Sequence, residues 1–141
     1  MSIKELLFSF QGRIGRKTFW MWNVAYYVII VGFALGANTL FASVAHLVLP
    51  VFLLLVLVPD LAITAKRWHD RGKSSWFLLL NIPLVIGRMT MPVGEAAQSV
   101  PPSTIQTVSS FAAIICGLWI LVECGFLKGT PSDNQYGPEP K

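Results

Sequence analysis

Between residues 18 and 59 the chain contains no Lys, Arg, Asp or Glu, and no other feature limits its fold as much. A single helix of that length would extend roughly 63 Å at about 1.5 Å per residue, twice the ~30 Å hydrocarbon core of a bilayer. Two antiparallel helices use the length; one does not. The break is expected near residues 36–39, or slightly later around residues 43–46, with Pro50 soon after. This gives helices over about 18–40 and 47–66. The run is far too long for a cleaved signal peptide and begins only after Lys17.

Composition agrees with a lipid environment. Hydrophobic residues make up 54% of the chain and charged residues 13%, where soluble domains carry about 25% charged residues. Mean hydropathy is +0.60. Two more apolar stretches follow. Residues 76–91 are apolar apart from Asn81, Arg88 and Thr90, with Pro83 expected to kink them. Residues 105–127 carry one charge, Glu123. Between them lies a polar loop containing Pro92, Pro101 and Pro102. The tail, 128–141, holds three prolines and two glycines and is expected to be irregular. At the other end, Ile3, Leu6, Leu7 and Phe10 fall on one helical face. They predict a short interfacial helix over about 2–12, lying on the membrane or docked on the spans. The expected fold is a single all-α membrane domain over 1–141. It has four transmembrane helices, the third short and Pro-kinked, plus the N-terminal interfacial helix.

Charge sets the expected orientation. With the N-terminus inside, Lys4, Arg13, Arg16, Lys17, Lys66, Arg67, Arg71, Lys73, Lys128 and Lys141 all fall on the cytoplasmic side, and Arg88 alone toward the other. Lys and Arg are enriched in cytoplasmic loops, so both termini are expected in the cytoplasm. Trp20, Trp22, Trp68 and Trp76 are then expected near the inner interface, where indole rings rest.

Three motifs carry a family resemblance. The segment FQGRIGRKTFW at 10–20 is similar to the F-x-G-R-x-x-R-x-x-[YF]-W opening of the domain-of-unknown-function 805 family. These are small bacterial inner-membrane proteins with no established activity. KRWHDRGKSSW at 66–76 resembles that family's R-R-L-H-D-x-x-[KR]-S-[GA]-W-W, with Lys66 and Trp68 in place of the usual Arg and Leu. The tail GTPSDNQYGPEP at 129–140 is similar to G-T-P-G-x-N-x-[YF]-G-P-D-P, with Ser132 where a Gly is usual. The resemblance implies a multi-pass protein of the bacterial inner membrane and brings no mechanism with it.

The residues themselves suggest three functions. In the first, the cytoplasmic basic face binds anionic lipid headgroups or a partner protein. Arg13, Arg16, Lys17, Arg67, His69, Asp70, Arg71, Lys73, Asn134 and Tyr136 are its candidates, with Asp70 orienting Arg13 or Arg16. Guanidinium forks suit phosphate because their donors bind it in pairs. In the second, Asp60 and Glu123, acidic residues inside spans, form an ion pathway of a small transporter or channel subunit, assembled as a homo-oligomer. In the third, His69 and Asp70 serve a lipid-headgroup enzyme. Adjacent helical side chains point about 100° apart, however, so these two do not face each other. No G-x-S-x-G elbow, phosphate-cradling glycine loop or H-E-x-x-H is present, and the reading leans away from an enzyme. No cofactor, metal site or nucleic-acid partner is indicated. His46 and His69 have no cysteine beside them. Cys116 and Cys124 fall in an apolar segment and read as small buried thiols.

Overall fold

The computed structural model describes residues 1–90 and 101–141. Helix α1 spans Ile3–Phe8, α2 Arg16–Leu40 and α3 Ala45–Asp70. A 3-10 helix over Ser75–Leu80 runs directly into α4, Asn81–Met89. Helix α5, Thr104–Ile120, continues through π-helical turns over Leu121–Phe126. Among the described residues there is no strand, only an isolated bridge between Asn134 and Gly137 in the tail.

Among the described residues three helical stretches are long and apolar enough to cross a membrane: Arg16–Leu40, Ala45–Asp70 and Thr104–Phe126. α3 is the central one. In its most apolar stretch 39% of residues are buried, against 11% for α2 and 6% for the last helix, so the outer pair present their apolar sides outward. The fourth expected segment is shorter. Ser75–Met89 is an apolar helix below that length, and the final residue of the 76–91 expectation lies outside the described residues.

Pro83 sits in the first turn of α4, just past the junction with the 3-10 turns. The irregularity falls ahead of it, in the 3-10 stretch. That stretch rises about 2.0 Å per residue, so the whole segment reaches about 25 Å rather than the ~22 Å of a pure α-helix.

α2 and α3 are joined through residues 41–44, just beyond the first expected break. The stacked rings of Phe33 and Phe52, with centroids 3.8 Å apart, tie the two helices together along their length. α3 runs four residues past its expected end. The segment Lys66–Asp70 therefore forms the last turn of the helix, and every residue from Ala62 to Asp70 is buried. Around it Ile14, Phe19, Ile63, Trp68, Ile120 and Cys124 form the core, with Leu6 and Phe77 packed on its rim. Trp68 is thus a core residue, 0% exposed and packed on Phe77 at 4.8 Å, not an interfacial anchor. A fully wrapped indole at the end of the central helix draws the rest of the chain around it.

α1 is shorter than expected and docks against the end of α3, where Lys66 Nζ donates to the Leu6 carbonyl at 2.7 Å. A capping box starts it. Ser2 N–H and Oγ both donate to the Glu5 carboxylate, and Glu5 N–H donates back to Ser2 Oγ. The backbone bond from Ser2, reinforced by its hydroxyl, holds the Glu5 carboxyl below the ordinary value. The cap's contribution is therefore complete above the unfolded-state pKa and is lost as pH falls through the lowered one.

Because Pro83 occupies a first-turn position, Pro83→Ala is expected to change stability by less than about 1 kcal/mol. Thermal unfolding of the detergent-purified protein, followed by circular dichroism, checks this. A large shift in either direction would place Pro83 inside a continuous helix.

Candidate functional site

One end of the bundle gathers the start of α2, the end of α3, the end of α5 and the tail. Asp70 is its centre. Arg13 Nε and Nη2 donate to Asp70 Oδ1 at 3.0 and 2.9 Å, and Arg67 Nη1 donates to Oδ2. One carboxylate is therefore shared by two guanidinium groups, and all three residues are buried. The remaining arginine nitrogens turn to backbone oxygens. Arg13 reaches the carbonyls of Thr130, Ser132 and Gly137. Arg67 reaches those of Cys124 and Leu127, both at 2.6 Å.

The carbonyls on the receiving side explain the density of cations. A helix leaves its last carbonyls without intrahelical partners and carries partial negative charge there. The π-helical end of α5 frees a run of them. Arg67 takes Cys124 and Leu127, Trp20 Nε1 takes Gly125 at 3.0 Å, Arg16 takes Phe126 at 3.0 Å, and Arg71 takes Lys128 at 2.5 Å. Arg71 also pairs with Glu123 at 3.0 Å. Both basic motifs thus clamp the terminus of the last helix.

The tail closes the clamp. Thr130 N–H donates to the Asp70 carbonyl at 2.6 Å, and Asn134 Nδ2 donates to the His69 carbonyl at 2.9 Å. The Tyr136 ring stacks on His69 with centroids 4.0 Å apart. Gly129 lies so close to Asp70 that a Cβ there would overlap the carboxylate. Ser132, where a Gly is usual, keeps the left-handed backbone with φ 64°, a conformation that costs an L-residue about 1–2 kcal/mol.

This geometry sorts the candidates. Arg13, not Arg16, is the partner of Asp70. Arg67 has no exposed surface and its donors are spent inside, so it is not available to a ligand as expected. His69 bonds the Gly12 carbonyl and Ser75 Oγ through its two ring nitrogens at 3.1 and 2.9 Å. It therefore makes no pair with Asp70. Lys73 lies 4.9 Å over the Phe77 ring. Arg16, Lys17 and Lys128 stay at the surface.

Asp60 and Glu123 enter separate ion pairs. Glu123 belongs to the clamp through Arg71, while Asp60 meets Arg88 at 3.3 Å. Arg88 was expected toward the opposite face; its long side chain reaches Asp60 and also donates to the hydroxyls of Tyr26 and Tyr27 at 2.8 and 3.2 Å. Trp22 Nε1 donates to the other Asp60 oxygen at 3.1 Å. Sequence reasoning missed this constellation. Its signal was Trp22 and Tyr26 at helical i, i+4 spacing, with Tyr27 beside them, opposite an intramembrane Arg. Among the described residues no three His, Cys, Asp or Glu side chains are grouped to hold a metal.

Comparison with known proteins follows the same motifs. Residues 7–138 match the family described as protein of unknown function (DUF805). The uncharacterized protein YiiR of Escherichia coli (strain K12) is 34% identical over 143 residues, covering 99% of this chain and 90% of that protein. The inner membrane proteins YhaH and YhaI of the same strain are 26% and 22% identical. Those alignments cover 94% and 100% of this chain, and 88% and 93% of the two relatives. No solved structure matches.

Asp70→Asn is expected to destabilise the protein by roughly 3–5 kcal/mol, because it leaves two buried guanidinium groups without a counter-charge. Gly129→Ala is expected to act in the same direction, by forcing the tail off the carboxylate. Thermal unfolding in detergent, with limited proteolysis of the tail as a second readout, checks both. Unchanged unfolding for Asp70→Asn would refute the shared-carboxylate account.

Proposed function

The chain belongs to the DUF805 family, and on that premise we propose that it is a four-span protein of the bacterial inner membrane. Both termini lie in the cytoplasm, and it acts as a non-enzymatic module whose basic face recognises anionic lipid headgroups. The names of YhaH and YhaI support the location. The ~25 Å reach of Ser75–Met89 supports a fourth crossing, since it approaches the ~30 Å hydrocarbon thickness. Both basic motifs and the tail share one end of the bundle, which suits a positively charged cytoplasmic side.

One observation carries the headgroup reading. Beside the clamp arginines Arg13, Arg67 and Arg71, Lys17 and Lys128 are exposed at its edge, next to Arg16, which is exposed although its Nη1 also holds the Phe126 carbonyl. Arg16 and Lys128 border a polar groove of about 540 Å³, walled by Gly15, Gly129, Thr130 and Pro131. Asp70 forms part of its lining with its charge already balanced by two arginines. Glu139 on the rim accepts the Ser132 N–H at 3.0 Å. The cations bordering the groove are thus Arg16 and Lys128, set against the Glu139 carboxylate, with the exposed Lys17 next to Arg16 in sequence, rather than the buried arginines of the motifs. Each cation near an anionic surface contributes about 1 kcal/mol.

Two measurements test this. Cysteines placed at Lys73 and Lys141 are expected to react with an impermeant reagent only from the cytoplasmic side, and cysteines at Thr90 and Ser103 only from the outside. A Thr90 label reached from the cytoplasm would reduce the span count. In native mass spectrometry with equal phosphatidylglycerol and phosphatidylethanolamine, the anionic lipid is expected to be retained preferentially. Combining Lys17→Gln and Lys128→Gln, neither of which holds the clamp, is expected to reduce that preference by roughly tenfold to thirtyfold while the unfolding temperature holds. Equal retention of both lipids by the unmodified protein would refute the headgroup reading.

A further inference from the structure

α2 meets the last helix chiefly through its π-helical end; along Thr104–Ile120 the backbones of the two helices stand apart. The chain is therefore an incomplete ring. α2 packs on α3, α3 on α4 and α4 on α5, while the fourth side stands open. The opening leads to a cleft of about 570 Å³, backed by α3 and α4 and edged by Val24 and Val28 of α2 and Gly117 and Leu121 of the last helix. That volume falls in the range of pockets that hold small ligands.

Most of the wall is apolar, and the polar groups in it are few and specific. Asp60 and Arg88 both line the cleft and pair with each other at 3.3 Å, so their charges cancel. An ionic headgroup would gain no net attraction there and would lose its hydration. Asn81 also lines the cleft, is 5% exposed, and its Oδ1 has no hydrogen-bond partner among the described residues. Asn81 borders as well a second depression of about 440 Å³, which holds neither Asp60 nor Arg88. A buried acceptor without a donor is unfavourable, and buried polar groups are normally satisfied. What is missing is therefore a neutral donor on a largely apolar body, arriving from the side.

We infer that the cleft between α2 and α5 binds an uncharged, hydroxyl-bearing amphiphile from the bilayer, of the diacylglycerol type. Its hydroxyl donates to Asn81 Oδ1, its head lies beside the neutral Asp60–Arg88 pair, and its chains leave between Val24, Val28 and Leu121. This site is separate from the headgroup groove at the clamp. None of Arg16, Lys17 and Lys128 lines it, so either assignment can be refuted while the other stands.

The test uses the full chain purified in detergent and native mass spectrometry with three probes: 1,2-diacylglycerol, its 3-O-methyl ether, and phosphatidylglycerol of matched chains. The expected result is retention of diacylglycerol about tenfold above its ether, which lacks only the donor. Asn81→Leu is expected to abolish that preference. Gly117→Leu supplies a second route. A Cβ at Gly117 meets only Leu84 Cδ2, at an ordinary 3.8 Å, so the larger side chain fills the cleft and is expected to abolish diacylglycerol retention without unfolding. Equal retention of alcohol and ether overturns the inference, water then being sufficient for Asn81. So does a preference that survives both substitutions, or a lipid-free dimer that Gly117→Leu dissociates.

Discussion

The sharing of Asp70 between Arg13 and Arg67 is the constraint on which the rest of the structure depends. A buried carboxylate with one arginine leaves little net gain, because desolvation offsets the attraction. Here the two arginines between them bring three further segments to the carboxylate: the stretch before α2, the tail and the end of the last helix. Arg13 arrives from the segment before α2 and carries the tail carbonyls of Thr130, Ser132 and Gly137. Arg67 belongs to α3 and holds the end of the last helix. The network works as a joint between segments distant in sequence, and its individual ion pairs matter less than the carbonyls they satisfy.

That joint explains a bundle that is tight at one end and open along one side. In lipid there is no hydrophobic drive to bring apolar helix faces together, so polar bonds and close packing must do it. α2 and the last helix carry neither along most of their length. They meet where Trp20 and Arg16 bind the carbonyls of Gly125 and Phe126, and diverge beyond. The lateral cleft is a direct result of where the polar bonds are spent. The pair of Asp60 and Arg88 holds α4 to α3 from inside, with the tyrosine hydroxyls of α2 as additional acceptors. Intramembrane charges placed like this cost less than isolated ones, since each finds its partner within the protein.

The candidate site was partly legible in the sequence. The GRIGR and RWHD motifs, Asp70 and the tail's Asn134 and Tyr136 are where the clamp forms. What could not be read was which arginine faces which acceptor. Arg13 and Arg16 are one turn apart, and only the path of residues 12–15, where Gly12 takes φ 92°, decides that Arg13 turns inward. The burial of Lys66, Arg67 and Trp68 was equally hidden. Charged side chains read as a surface when the acceptors that satisfy them lie about 60 residues away, as the carbonyls of Cys124 and Leu127 do.

The sequence alone determined that this chain is helical and suited to lipid. Period and length are local properties: an uncharged run from 18 to 59 has to pair its backbone within its own helices, and the cations flanking it mark its ends. Tertiary structure decided everything that depends on two distant segments meeting. It placed Arg88 against Asp60, Glu123 against Arg71, and the tail against Asp70. It also left one side of the ring unclosed. Backbone hydrogen bonds within a helix are satisfied by neighbours in sequence, whereas a side-chain donor takes whichever acceptor the packing brings within 3 Å or so.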